Sequence, residues 1–97
     1  MSELTIIANI IVKPEHLAFV TSELLKLVEI TKTEAGCINY DLHQDKEKPT
    51  HFMMFEKWAS RELWSQHGAA AHLSDYVQAT EGKVERFSVS EMNLLTA

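Results

Sequence analysis

Both tryptophans and two of the five histidines of this 97-residue chain fall in one stretch, FEKWASRELWSQHGAAAHLSDY, residues 55–76. Imidazole titrates near neutrality, so it can move a proton or hold a metal. Indole rings can wall an aromatic pocket, although large aromatics more often fill cores. His67 and His72 stand five residues apart. On one continuous helix that spacing turns the two side chains about 140° from each other, unlike the i, i+4 pair of metalloprotease motifs. No third ligand follows at a metal-binding spacing, so no metal site is expected.

Projected on the same helix, Leu63, His67, Ala70, Ser74 and Val77 share one face, with Trp64 at its border. His67 therefore lies in an apolar stripe, where it is either a core imidazole tied to a backbone or carboxylate partner or a proton acceptor. His72 lies roughly opposite and, like His16, His43 and His51, is expected to face solvent.

Two further polar residues sit in apolar strands. Asn9 lies between Ile7 and Ile11, where strand propensity disfavours it and burial demands hydrogen-bond partners. A bulge or an edge contact explains it as well as a role on substrate oxygen does. Glu56 lies between Met54 and Trp58 on one strand face, where desolvation favours the neutral acid unless a cation or donors compensate. A structural ion pair is the expectation there.

The elements that must position these residues follow from periodicity. Residues 4–12, LTIIANIIV, read as a strand covered on both faces, with Leu4, Ile6, Ala8, Ile10 and Val12 on one side and Thr5, Ile7, Asn9 and Ile11 on the other. Pro14 opens a helix over about 14–33. CINYDLHQ is a half-exposed strand that alternates Ile38, Tyr40 and Leu42 against Cys37, Asn39, Asp41 and His43. DKEKPT is a hairpin loop, and HFMMFEKW is a strand apolar on both faces. Ser60 caps a second helix that runs from 61 to about 80 and stops near Gly82, and FSVSEMNLL supplies the last strand.

The order βαββαβ folds, by the crossover rule, into a ferredoxin-like antiparallel sheet with two helices on one face, an α+β class. Two helices cover one sheet face only, yet the first and third strands are apolar on both. The same face of a second copy is the economical cover, so a homodimer is expected.

Composition limits the functions. The chain reads as one domain over 1–97, with 45% apolar and 24% charged residues. Its net charge is −5 and its cations are dispersed, so the electrostatic footprint of a nucleic-acid binder is missing. LTIIANIIV is too short to cross a membrane. The lone Cys37 suits a reducing, cytoplasmic setting.

EAGCINY at 34–40, the segment FEKWASRELW, and the pair His67 and His72 together resemble the antibiotic biosynthesis monooxygenase family of small dimeric α+β barrel proteins. The resemblance extends from the first strand to FSVSEMNLL. It implies a cofactor-independent oxygenase that holds a phenol or quinol in an apolar cavity, removes a proton, and lets the anion reduce O2. It also implies that Trp58, ending the third strand, and Trp64, starting the second helix, wall the pocket. Family members that oxidise polyketides carry Asn where this chain has Met54, and haem-degrading relatives have His where counting from Trp64 reaches Ser74. Both departures point toward the quinol-oxidising type.

On this basis the expected catalytic residues are His67, accepting a proton, and Asn9, holding a substrate oxygen. Ile11, Phe52, Met54, Trp58 and Trp64 are expected to line one cavity with them, joined by Tyr40 and Glu56. Two other functions fit the same residues. One is an isomerase of a small phosphorylated hydroxyketone, with His67 or Glu56 shuttling a proton; the other is a module that only sequesters an aromatic metabolite.

Overall fold

The computed structural model describes residues 3–96. Along the chain run β1 (Leu4–Val12), a 3₁₀ turn (Pro14–His16), α1 (Leu17–Thr31), β2 (Cys37–Gln44), β3 (His51–Trp58), α2 (Arg61–Gly68), α3 (Ala71–Ala79) and β4 (Val84–Met92). The sheet order is β2-β3-β1-β4, and every neighbouring pair is antiparallel. This is the ferredoxin-like α+β fold that the element order predicts.

Alternation sorts the central strands into two faces. Ile6, Ala8, Ile10 and Val12 of β1 are buried, and cross-strand pairing sets Ile10 beside Phe52, Ala8 beside Met54 and Ile6 beside Glu56. Tyr40 of β2 pairs with Glu56 on the same face. Val20, Leu24 and Leu27 of α1 close over this layer, at helical spacings that present one stripe to the sheet. Burying each such side chain contributes about 1.5–3 kcal/mol. The opposite face carries Thr5, Ile7, Asn9 and Ile11 with their β3 partners Lys57, Phe55, Met53 and His51. No helix of the described residues covers it, and these side chains stay half-exposed.

Local chemistry fixes the connections. Asp45 Oδ1 accepts from the backbone N–H groups of Glu47 and Lys48, at 2.8 and 3.0 Å, and so folds the hairpin loop. Ser60 caps α2 as expected, its hydroxyl accepting from Leu63 N at 3.2 Å. Gly36 has φ of 85°, a conformation that side chains resist. A methyl group there would lie 2.8 Å from Leu63 Cβ, and the Gly36 carbonyl accepts from Ala59 N at 2.8 Å. The turn after α1 is thereby held against the start of α2.

Four expectations about the elements are corrected. The first helix begins as a 3₁₀ turn and becomes α-helical only at Leu17. Between Cys37 and Asn39 the β2–β3 register shifts, so Ile38 is ejected to solvent at 46% exposure while Cys37 joins the side of Tyr40. The last strand begins at Val84, not Phe87.

Most consequential, the helix expected over 61–80 is two helices. Ala69 N and Ala70 N bond back to Gln66 and His67 carbonyls, three residues away, which closes α2 in a tight turn. Ala70 then adopts an extended conformation, φ −74° and ψ 146°, and α3 starts in a new direction. Gly68 weakens the helix there, a cost of about 1 kcal/mol against alanine.

Candidate functional site

A cavity of about 320 Å³ lies between the helix-side face of the sheet and the helices. Its floor is Ala8 and Ile10 of β1, Tyr40 of β2, and Met54 and Glu56 of β3. Trp64, Ser65 and His67 of α2 form one wall, and Leu24, Leu73 and Tyr76 another. Phe87 and Val89 of β4 face the same space. They remain 61% and 46% exposed because no helix reaches over that edge of the sheet, so the mouth opens there.

His67 is 4% exposed. Its Nδ1 lies 2.6 Å from Glu34 Oε2, and a carboxylate oxygen there requires Nδ1 to carry the hydrogen. The ring sits 5.0 Å from the Trp58 ring and edge-on to Tyr40 at 5.4 Å. Among the described residues nothing bonds Nε2. In the neutral ring that nitrogen bears a lone pair, which makes it a base with a carboxylate behind it.

The helix break brings His72 to the same carboxylate, its Nε2 also 2.6 Å from Glu34 Oε2. The expectation that His72 lies opposite His67 is therefore overturned. It assumed one uninterrupted helix, and the extended Ala70 redirects the second half. Glu34, His67 and His72 now stand with their ligating atoms all within 4.8 Å of one another.

Glu56 has no cation beside it among the described residues; the expected ion pair is replaced by the Trp58 indole, whose Nε1 donates to Glu56 Oε1 at 3.0 Å. Burial outweighs that donor and pushes the Glu56 carboxyl up to about 7. It is therefore close to half protonated at neutral pH. Burial, with Glu56 nearby, also pushes the Tyr40 phenol well above its ordinary value, so Tyr40 stays neutral.

The cavity thus gathers His67, Met54, Tyr40, Glu56 and Trp64 from the expected set. Trp58 and Phe52 are on the same face but fully buried, at 0% and 2% exposure, and do not line the space. Trp58 stands behind the cavity, with its ring against His67 and its indole N–H bonded to Glu56. Asn9 and Ile11 are corrections, because they point to the helix-free face, away from His67. There Asn9 Oδ1 lies 2.9 Å from His51 Nε2, which answers the hydrogen-bonding need of a polar group in that strand. A set containing both Asn9 and Met54 mixes odd and even positions of paired strands, and Ala8, not Asn9, is opposite Met54.

The chain belongs to the antibiotic biosynthesis monooxygenase family, which matches over residues 4–79. YcnE of Bacillus subtilis, named as a candidate monooxygenase, is 34% identical over 70 residues, covering 72% of this chain and 74% of its own. The crystal structure of PA3566 from Pseudomonas aeruginosa superposes with a TM-score of 0.93 at 30% identity, over 99% of this chain and 97% of that one. A crystal structure of an antibiotic biosynthesis monooxygenase is similar at 31% identity with a TM-score of 0.91, over 96% and 99% of the two chains. No helix among the described residues is long and apolar enough to cross a membrane.

Proposed function

We propose that the protein is a monooxygenase without a cofactor that oxidises a quinol or related phenol with O2, and that His67 is its base. The observation that carries this is the 2.6 Å bond from His67 Nδ1 to Glu34, placed at the wall of an apolar cavity. A flat aromatic ring suits the space between Met54, Leu73 and Trp64. Its hydroxyl gives a proton to His67 Nε2, and Glu34 stabilises the imidazolium that forms.

The substrate anion then transfers one electron to O2, the two radicals join in a C–O bond, and the proton held on His67 passes to the resulting peroxide to give a hydroperoxide. Cleavage of the O–O bond, with loss of the ring C–H proton, leaves a hydroxyquinone and water. One oxygen atom enters the product, the other leaves as water, and the quinol supplies all four electrons. Glu56 lines the same cavity and burial raises its carboxyl to about 7, which supports a role in giving the departing oxygen its proton and taking up the ring C–H proton.

The working assembly is proposed to be a homodimer through the helix-free sheet face. Ile7, Ile11, Met53 and Phe55 stand there half-exposed, an apolar centre that a second copy would cover.

An isomerase of a phosphorylated substrate is less well supported, since among the described residues neither lysine nor arginine lines the cavity. The test is O2 uptake by purified, chelator-treated protein with a naphthoquinol. The expected product carries one atom of isotopically labelled O2. Quinone binding with uptake no faster than heat-denatured protein would identify a sequestering module instead.

A further inference from the structure

We infer that Glu34, His67 and His72 form a binding site for a divalent transition-metal ion, and that the ion switches the cavity base off. Three separate elements supply the donors: the turn after α1, the end of α2 and the first turn of α3. The break at 69–70 is what converges the two imidazoles, and they present different nitrogens, Nδ1 of His67 and Nε2 of His72. Two imidazoles and one carboxylate suit Zn²⁺, Co²⁺ or Fe²⁺, whereas Ca²⁺ and Mg²⁺ favour all-oxygen shells.

The spacing is within reach of a metal. Bonds of about 2.0–2.2 Å in a tetrahedral shell set donors roughly 3.4 Å apart. The two 2.6 Å contacts to Glu34 must therefore open by less than about 1 Å around an ion. There is also an access route that does not pass through the substrate cavity. A groove of about 220 Å³ between α1 and α3 has His72 in its wall. Lys26 and Glu23 line it as an ion pair at 2.8 Å, which leaves the Asp75 carboxylate, without an ion-pair partner among the described residues, to attract a cation.

The two states exclude each other. A metal on Nδ1 displaces the hydrogen that His67 donates to Glu34, and the neutral ring then keeps its hydrogen on Nε2. Nε2, the ring nitrogen with no hydrogen bond among the described residues, becomes a donor and can no longer accept the substrate proton. Glu34 is likewise taken from the imidazolium it would stabilise. This consequence rests on His67 being the base; the binding of the ion does not.

Cobalt makes the two parts separately testable. Titrating chelator-treated protein with Co²⁺ should give visible absorption bands saturating at one ion per chain. The bands should be lost in His72→Ala and in Glu34→Gln, kept in His43→Ala, and bleached by Zn²⁺. Circular dichroism identifies any variant that fails to fold, and the wild-type stoichiometry stands independently of the variants. No bands in the wild type, or bands unchanged in a folded His72→Ala protein, would overturn the site. In the same samples, quinol-dependent O2 uptake should fall toward background as Zn²⁺ saturates and return on chelation. Uptake that rises with metal would overturn the switching. One ion bound with no uptake in any state upholds the site and removes the oxygenase proposal alone.

Discussion

Glu34 and His67 are joined by a 2.6 Å hydrogen bond across 33 positions of sequence, and the carboxylate stands on the far side of the imidazole from its unbonded nitrogen. The pair is held by the Gly36 turn, which locks against Leu63 of the same helix that carries His67. Glu34→Gln keeps the shape and removes the charge. Turnover is expected to fall roughly 10²-fold, within the range of general acid–base contributions, while the melting temperature changes little. Steady-state O2 uptake alongside thermal unfolding measures both.

Glu56 makes stability depend on pH with a definite sign. Its carboxyl is raised from 4.5 to about 7 in the folded protein, chiefly by burial. Below 4.5 both states hold the proton and nothing is lost. Between 4.5 and 7 the unfolded chain ionises while the folded one does not, so stability declines by about 3 kcal/mol and levels off above 7. Glu56→Gln can still accept from Trp58, and it should lack this decline. Urea unfolding of both proteins at pH values on either side of the window tests it, since other titrating groups cancel in the comparison.

Asn9→Ala should leave O2 uptake near the wild-type rate, because Asn9 faces away from the cavity. It should reduce stability by about 1 kcal/mol through loss of the His51 contact. Denaturant melts and uptake rates together decide the matter. A large fall in turnover with the fold intact would return Asn9 to the site.

Phe55→Asp introduces a charge into the centre of the helix-free face, beside Ile7. Sedimentation should show the wild type at twice the chain mass and this variant at once. A wild-type monomer at micromolar concentration would contradict the face-to-face dimer.

The sheet is legible because β1 and β3 are runs of apolar, largely β-branched or aromatic residues of strand length, and because strand geometry alone sorts β1 into its two faces. What alternation does not reveal is an inserted residue. The bulge at Ile38 shifts Cys37 to the buried side, and no local signal distinguishes it. His67 was legible as a histidine in an apolar stripe. Its partners were not, for two physical reasons. Glu34 reaches it from a turn 33 residues earlier; the chemical cue there is only that Gly36 reverses the chain two residues after an acid. His72 depends on a break inside an alanine-rich run that propensity alone would keep helical, and Gly68 was the one residue arguing against continuity. Polarity singles out Asn9, but its strand position pairs it with Met53 on the face away from His67.

The proposal that His67 removes a substrate proton is tested most directly without oxygen. A naphthoquinol whose anion absorbs at longer wavelength than the neutral form is titrated anaerobically, near neutral pH, into chelator-treated protein. Wild type is expected to show the long-wavelength band of the bound anion, Glu34→Gln a weaker band, and His67→Ala the neutral spectrum with binding retained. A neutral spectrum in wild-type protein that still consumes O2 at full rate on aeration would contradict base catalysis by His67.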